Sequence, residues 1–461
     1  MSSSIRSRDM TQGALLPQIV LFSLPLAASG ILQLLFNAAD VVVVGKFAGS
    51  TSLAAVGATG ALVSMLVGAF LGISVGVNIL AARYIGSRQQ EHLHRTVHSA
   101  VALSLLLGVF VFLIGFFLSG PMLRLMDTPE DIIDLSALYL RIIFIGVPAQ
   151  LVYNFGAAIL RAFGDTRKPL LFLSIAGTVN VLLNLFFVVV CHLGVAGVAI
   201  ATCASHYTSA TLVLRCLAKQ EGSARLELKK IRLHKEEAFR IVQIGLPAGL
   251  QSVLFSIANV MIQSSVNSFG SNVVAANTAA ANIGGFVYTA MNSVYHAALT
   301  FTSQNLGAGK PERSPKIFGG CILTVASIGI LLSSASWLFG PQLLSIYVSR
   351  SDPNYASIIE YGMIRTLYVT VPYGLCGIME VCCGMVRGLG KSWLPMFVTV
   401  LGACAFRIVW IATVFNAFQT LPVLYLSLPA SWIVTTLAHV ICFLIIYRKA
   451  LRRKITKPSV I

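Results

Sequence analysis

Twelve apolar stretches run through this chain, each about 20 residues or a little longer, the length needed to cross the hydrocarbon of a bilayer. They cover roughly 15–44, 53–81, 97–119, 132–158, 170–191, 195–217, 239–266, 275–302, 317–340, 355–385, 394–416 and 422–447. No soluble core absorbs so many. A water-soluble domain also needs polar residues to coat it, and only 11% of this chain is charged, against about 25% ordinarily. Apolar content of 56% excludes disorder. The runs are apolar on every side instead of alternating, which argues for helices over the strands of a barrel. The expected class is an all-α membrane protein with twelve transmembrane helices.

Orientation follows from the basic residues between the spans. With the N-terminus inside, 27 of the 33 Lys and Arg fall on the cytoplasmic side, including Arg6, Arg8 and the run from Arg448 to Lys457. The opposite face receives only Lys46, Arg124 and Arg350. This bias predicts both termini in the cytoplasm of a multi-pass cell-membrane protein. It also accounts for most of the net charge of +17, with attraction to anionic lipid as a second effect. The bases are scattered between spans and form no soluble face, so nucleic acid is not an expected partner. The polar start, Met1 to Gln12, is not followed by a short apolar core with a small-residue cleavage site, so the first run reads as a retained span.

The two halves resemble each other. Pro25, Asn37 and Phe47 recur 222 residues later as Pro247, Asn259 and Phe269. Gly86 meets Gly307 at 221; Pro129, Arg141 and Pro148 meet Pro353, Arg365 and Pro372 at 224. Leu160–Gly164 meets Val386–Gly390, and Pro169 meets Pro395, at 226. The predicted organisation is a cytoplasmic N-terminus 1–14, an N-lobe 15–217, a cytoplasmic linker 218–238, a C-lobe 239–447 and a basic tail 448–461. Six spans per repeat is even, so both lobes enter from the same side, related by a pseudo-twofold axis along the membrane normal. Prolines inside spans one, four, seven and ten permit bends, read either as parts of gating or as fixed kinks. Thr128-Pro129 and Asp352-Pro353 read as capping pairs that start spans four and ten.

The chain resembles the multidrug and toxic compound extrusion (MATE) family of secondary transporters. The resemblance rests on Leu24-Pro25 with Asn37 to Asp40, on Leu246-Pro247, on Arg83–Gly86 and Gln304–Gly307, and on the Arg161–Pro169 and Arg387–Pro395 turns. It extends over about 15 to 447. It implies antiport, in which an ion runs down its gradient while an organic, often cationic, compound leaves the cell. It also implies a V-shaped pair of six-helix lobes.

Ionisable groups inside spans are costly, so each is a functional candidate. Asp40 shares a helix face with Asn37. Asp40 reads either as the ion-coupling group, taking H⁺ or attracting Na⁺, or as a structural carboxylate paired with Lys46. The family resemblance implicates an acid at this place in coupling. Asn180 and Asn184, one helical turn apart, project together in span five. Relatives often carry an acid near the second of these, and Asn184 departs from that pattern. Glu380 lies seven residues before Arg387, as Asn154 lies seven before Arg161. A second ion site and a fixed Glu380–Arg407 pair are both open readings. Asn259 and Gln263 share a face that could meet Glu380, and Arg407 is the remaining charged group on the substrate side. Tyr153, Tyr288 and Tyr295 suit an aromatic cavity for organic cations, with plain aromatic packing as the other reading of each. Asn154 joins them as a substrate candidate.

His206, His296 and His439 have no partner at metal-ligand spacing and read as packing residues. The nine cysteines form no zinc or disulfide pattern. Gly390-Lys391-Ser392 lacks the first glycine and the strand of a phosphate loop. No catalytic constellation, cofactor site or metal cluster is visible beyond Na⁺ at Asp40, so an enzyme is not expected. The expected function is export of small amphiphilic or cationic compounds in exchange for H⁺, or Na⁺, by a monomer that alternates access between lobes. The alternative is a lipid-linked precursor flippase, which would need a cavity richer in bases.

Overall fold

A computed structural model describes residues 9–126, 128–348, 350 and 353–456. Arg6, Arg8, Asp352 and Lys457, used above for orientation or capping, lie outside the described residues. The described chain is helical, without strands. Twelve long helical segments follow one another: α1 (Leu15–Phe47), α2 (Gly49–Gly86), α3 (Gln90–Leu125), α4 (Glu130–Ala162), α5 (Arg167–Val190) and α6 (Gly194–Ala218). The second half continues with α7 (Lys235–Asn267), α8 (Ser271–Gly307), α9 (Ser314–Leu338), α10 (Tyr355–Gly388), α11 (Trp393–Phe418) and α12 (Leu421–Thr456). Eleven of these, counted among the described residues, are long and apolar enough to cross a membrane. The other, α8, is 37 residues long but more polar, carrying Asn272, Asn277, Asn282, Asn292, Gln304 and Asn305.

In lipid every backbone polar group needs an internal partner, which is why apolar runs of this length settle as helices. Their outer faces carry Phe117, Ile330, Leu331, Leu401 and Leu437, all exposed. Such faces would drive aggregation in water and are matched by acyl chains. Four of the segments' turns are π-helical: Leu185–Val190 in α5, Thr366–Thr370 in α10, and Val400–Ala405 and Ile411–Phe415 in α11. Pro25, Pro148 and Pro247 sit inside unbroken helix, whereas Pro372 caps the second part of α10, directly after a π turn. The proposed cap at Thr128-Pro129 is corrected. Pro129 itself is the cap residue of α4, with no side-chain cap bond, and Glu130 and Asp131 face the positive end of the helix dipole. Pro353 likewise precedes the cap of α10, which is Asn354.

The repeat is visible in the loops. After α4, Gly164 takes φ 83° and the Asp165 amide donates to the Leu160 carbonyl; after α10, Gly390 takes φ 89° and the Lys391 amide donates to the Val386 carbonyl. After α2, Arg88 (φ 55°) closes the helix as Gly309 (φ 67°) does after α8. The Gln89 and Lys310 amides then reach back to the Tyr84 and Asn305 carbonyls, at 3.0 and 2.9 Å. A side chain at positive φ costs about 1 kcal/mol that glycine avoids. Arg88→Gly is therefore expected to raise the melting temperature of the purified protein, and Gly309→Arg to lower it, in thermal unfolding followed in detergent.

The chain divides into two compact units. Unit 1 gathers Ala28–Gly249, and unit 2 gathers Met10–Ala27 with Leu250 onward. The division falls inside α1 and α7, just past Pro25 and Pro247, and not at the linker 218–238. The first half of α7 thus belongs with α2 to α6, and the first half of α1 with α8 to α12. In unit 1, Gly72 and Gly76 of α2 meet Gly245 and Gly249 of α7 backbone to backbone. In unit 2, Phe22 of α1 stacks edge-on with Phe301 of α8 at 5.6 Å. The Met10 amide also donates to Gln304 Oε1 at 3.1 Å, and Asn305 Nδ2 donates to the Met10 carbonyl at 3.1 Å.

The linker is pinned within unit 1. The Glu227 amide donates to His98 Nε2 and the His234 amide to Ser99 Oγ, both at 3.1 Å, and Leu226 is buried. Lys230 pairs with Glu227 at 2.9 Å and holds its carboxyl below the usual range.

Candidate functional site

In unit 1 the second half of α1 meets α5 where Gly177 faces Phe36. A Cβ on Gly177 would fall 1.8 Å from the Phe36 ring, so any larger residue here would have to displace that ring. One turn further along α1 lies Asp40, and further along α5 lie Asn180 and Asn184, both buried. Asn184 Nδ2 donates to Asp40 Oδ1 and, at 3.3 Å, to Asn180 Oδ1. From α6, Thr202 Oγ1 stands 3.4 Å from Asp40 Oδ2 and 2.9 Å from the Val198 carbonyl. Asn180 Nδ2 donates to Thr202 Oγ1 at 3.4 Å, and Tyr139 is within electrostatic reach of the carboxylate. The π turn Leu185–Val190 begins directly after Asn184.

Asp40 is thus surrounded by amides and hydroxyls. Lys46 is exposed and makes no ion pair with it among the described residues, which removes the reading of a locked Asp40–Lys46 pair. Asn37 is exposed and is not drawn into the network, although it shares the face of Asp40. Asn184 Oδ1 is buried without a partner. An amide beside a carboxyl serves both of its states: Nδ2 donates to the carboxylate, and after rotation Oδ1 accepts from the protonated acid. Thr202 and Tyr139 were not singled out from sequence. Thr202 lies among small residues, Ala201 and Cys203, with nothing to distinguish it from a packing hydroxyl.

In unit 2 the Glu380–Arg407 pair, one of the two open readings, is not formed among the described residues. Arg407 is buried, donates from Nε to Ser431 Oγ at 3.0 Å and lies 5.5 Å over the Phe255 ring. Glu380 is half-buried and within electrostatic reach of Arg387, Tyr288 and Tyr295. Among the described residues it makes no ion pair. Arg387 donates to Tyr295 Oη and Gln251 Oε1, both at 2.6 Å. Gln263 turns to Asn277 and Asn267, at 2.9 Å each, instead of Glu380, and Asn259 is exposed. In the first half, Tyr153 Oη donates to the Pro169 carbonyl at 3.0 Å and Asn154 Nδ2 to the Gln150 carbonyl at 2.8 Å. Tyr153 therefore ties α4 to the start of α5, and Asn154 bonds within its own helix.

The nine cysteines are free. No group of His, Cys, Asp and Glu able to hold a metal occurs among the described residues. His439 Nε2 sits 3.0 Å from Thr399 Oγ1 inside the core.

The MatE family model matches residues 25–186 and again 247–413, the two matches beginning on the paired prolines. The chain belongs to the MatE family. Its members are membrane transporters and not enzymes. The chain is 28% identical to the probable multidrug resistance protein YpnP of Bacillus subtilis, over 84% of this chain and 85% of that protein. It is 24% identical to the FAD transporter of Shewanella oneidensis, over 81% and 82%. Among solved structures it matches the outward-facing conformation of a multidrug resistance MATE family transporter of the MOP superfamily. That match has a TM-score of 0.87 at 23% identity, covering 98% of this chain and 99% of the other. The MatE fold therefore accounts for both six-helix repeats.

Proposed function

We propose that this MatE transporter is a cation-coupled antiporter that exports small amphiphilic organic compounds in exchange for H⁺, with Asp40 as the coupling carboxyl and both termini in the cytoplasm. The observation that carries this reading is the environment of Asp40: a membrane-embedded carboxylate met by Asn184 and Thr202, both bonded to Asn180, with no cation paired to it among the described residues. Protonation of such a group would offer a donor to the buried, unpartnered Asn184 Oδ1, so the network can serve both states of the acid. Protonation favours one arrangement of the transporter, and substrate loading with the acid ionised favours the other. Each ligand shifts the balance only by its differential affinity for the two states. A relative named for multidrug resistance and a structural neighbour so described support organic substrates. One carboxylate with neutral oxygens around it is a weaker Na⁺ site than two carboxylates, which favours H⁺.

The test is dye efflux from proteoliposomes with a pH gradient and a Na⁺ gradient imposed separately. A pH gradient alone is expected to drive export. Export driven by Na⁺ alone, with no response to pH, would replace H⁺ by Na⁺; export driven by neither would remove the antiport reading.

A further inference from the structure

Besides Arg387, which Tyr295 and Gln251 hold, unit 2 buries two guanidinium groups inside membrane helices with no carboxylate paired to either among the described residues. Arg365 on α10 is 9% exposed and Arg407 on α11 is 2% exposed. Neither takes part in an ion pair among the described residues. Arg365 Nε donates to Asn277 Oδ1 at 2.7 Å, and its Nη1 is buried without a partner. Arg407 has the single bond to Ser431 described above. Uncompensated buried charge of this kind is costly, and within a membrane it marks a site that something else completes.

The two arginines share one neighbour. Tyr373 lies within electrostatic reach of both Arg365 and Arg407. Its ring packs 5.4 Å from Trp432, and Phe255 covers Arg407. Thr370 Oγ1, fully buried, also has no partner. Both Thr370 Oγ1 and Tyr373 Oη lie 3.4 Å from where a Cβ on Gly284 would sit, so the two hydroxyls converge beside a backbone with no side chain. The backbone marks the same place. The π turn Thr366–Thr370 starts directly after Arg365, and the π turns Val400–Ala405 and Ile411–Phe415 bracket Arg407. π turns are rare and cluster at functional sites, because they re-aim side chains out of the regular ladder.

We propose that Arg407 and Arg365, with Tyr373 in reach of both, form an anion subsite that receives the carboxylate of an aromatic substrate. Guanidinium groups match a planar carboxylate through charge-assisted bonds, and the neighbouring rings of Phe255, Tyr373 and Trp432 suit a ring system beside it. The substrate class is then an aromatic carboxylate or zwitterion, and not a simple organic cation. The inference rests on the export reading above and narrows it.

The test uses two dyes that differ only at one group: rhodamine 110, which carries a free carboxylate, and rhodamine 123, its methyl ester. Binding to the purified full-length protein is followed by fluorescence polarisation. The wild-type protein is expected to bind rhodamine 110 about tenfold more tightly, the worth of one charge-assisted bond. In Arg407→Gln the ratio is expected to fall to about one, and in Arg407→Lys most of it to remain. Equal binding of the two dyes by the wild-type protein would overturn the proposal without recourse to any variant. So would a tenfold wild-type preference that Arg407→Gln and Arg365→Gln both leave intact. Gradient-driven efflux of the ester by the wild-type protein is measured alongside; its absence counts against antiport, while the binding ratio judges the subsite alone.

Discussion

Asp40→Asn is expected to insert, fold and bind dye, yet to export nothing beyond the leak of empty liposomes when a pH gradient is imposed. The reasoning starts from shape. An amide replaces the carboxyl atom for atom, and the contacts of Asn184 and Thr202 can be kept by rotating amides. What is lost is the second protonation state. A group that is always neutral cannot distinguish a compartment rich in protons from one that is poor in them, so the gradient has no purchase on the protein. Facilitated exchange of substrate between compartments should survive, because it needs no net ion movement. Counterflow of labelled against unlabelled dye measures that exchange, and ΔpH-driven efflux measures coupling. Loss of efflux with exchange retained assigns coupling to Asp40. Full efflux by the variant transfers coupling elsewhere, with Glu380 the next carboxyl inside a span. Asp40→Glu, which keeps a titratable group but displaces it by one methylene, should restore part of the efflux.

Much of the fold can be read from the chain because lipid imposes one rule on the backbone. Apolar runs of membrane length become helices, and the paired prolines and glycines mark the repeat. The Gly164 and Gly390 turns, and those at Arg88 and Gly309, close their helices in the same way, as matched sequence predicts. The position of Asp40 beside Asn180 and Asn184 is also legible, since each is a polar residue on an otherwise apolar run. The partners of those residues are less so. Thr202 and Asn277 are set by how helices distant in sequence pack, and Thr202 resembles any small packing residue. Gln263 and Asn259 share a helix face, yet only Gln263 reaches the Asn277–Arg365 network. The Glu380–Arg407 pair fails for a related reason. Opposite charges in one lobe suggest pairing, but Arg407 turns to Ser431 and Phe255 from between two π turns that no periodicity reveals. The division of α1 and α7 between two units was equally hidden, because a sequence is read one helix at a time.

That division carries the other large prediction. Gly72 and Gly76 of α2 are spaced one turn apart, as are Gly245 and Gly249 of α7, and the two pairs face each other within unit 1. Small residues at this spacing let membrane helices touch backbone to backbone, where packing is the main attraction available. A Cβ on Gly72 would lie 2.2 Å from the Gly249 nitrogen, and one on Gly249 would lie 2.0 Å from the Ala69 carbonyl oxygen. Backbone cannot swing aside as a side chain can, so the helices must separate and lose contacts along their length. Overpacking costs about 1–3 kcal/mol, and a clash with backbone lies toward the upper end. Gly68, one turn earlier on α2, has nothing within 4 Å of its Cβ position. Alanine in place of glycine inside a helix gains up to about 1 kcal/mol when space allows. The two substitutions should therefore have opposite signs on the same helix: Gly68→Ala leaves the melting temperature in detergent unchanged or raises it, and Gly72→Ala lowers it by several degrees. Gly249→Ala should fall with Gly72→Ala. The double variant should lose less than the two single losses combined, because once the helices have parted for one methyl group the second meets no wall. Equal and small effects at Gly68 and Gly72 would mean that α2 and the first half of α7 do not touch at these glycines.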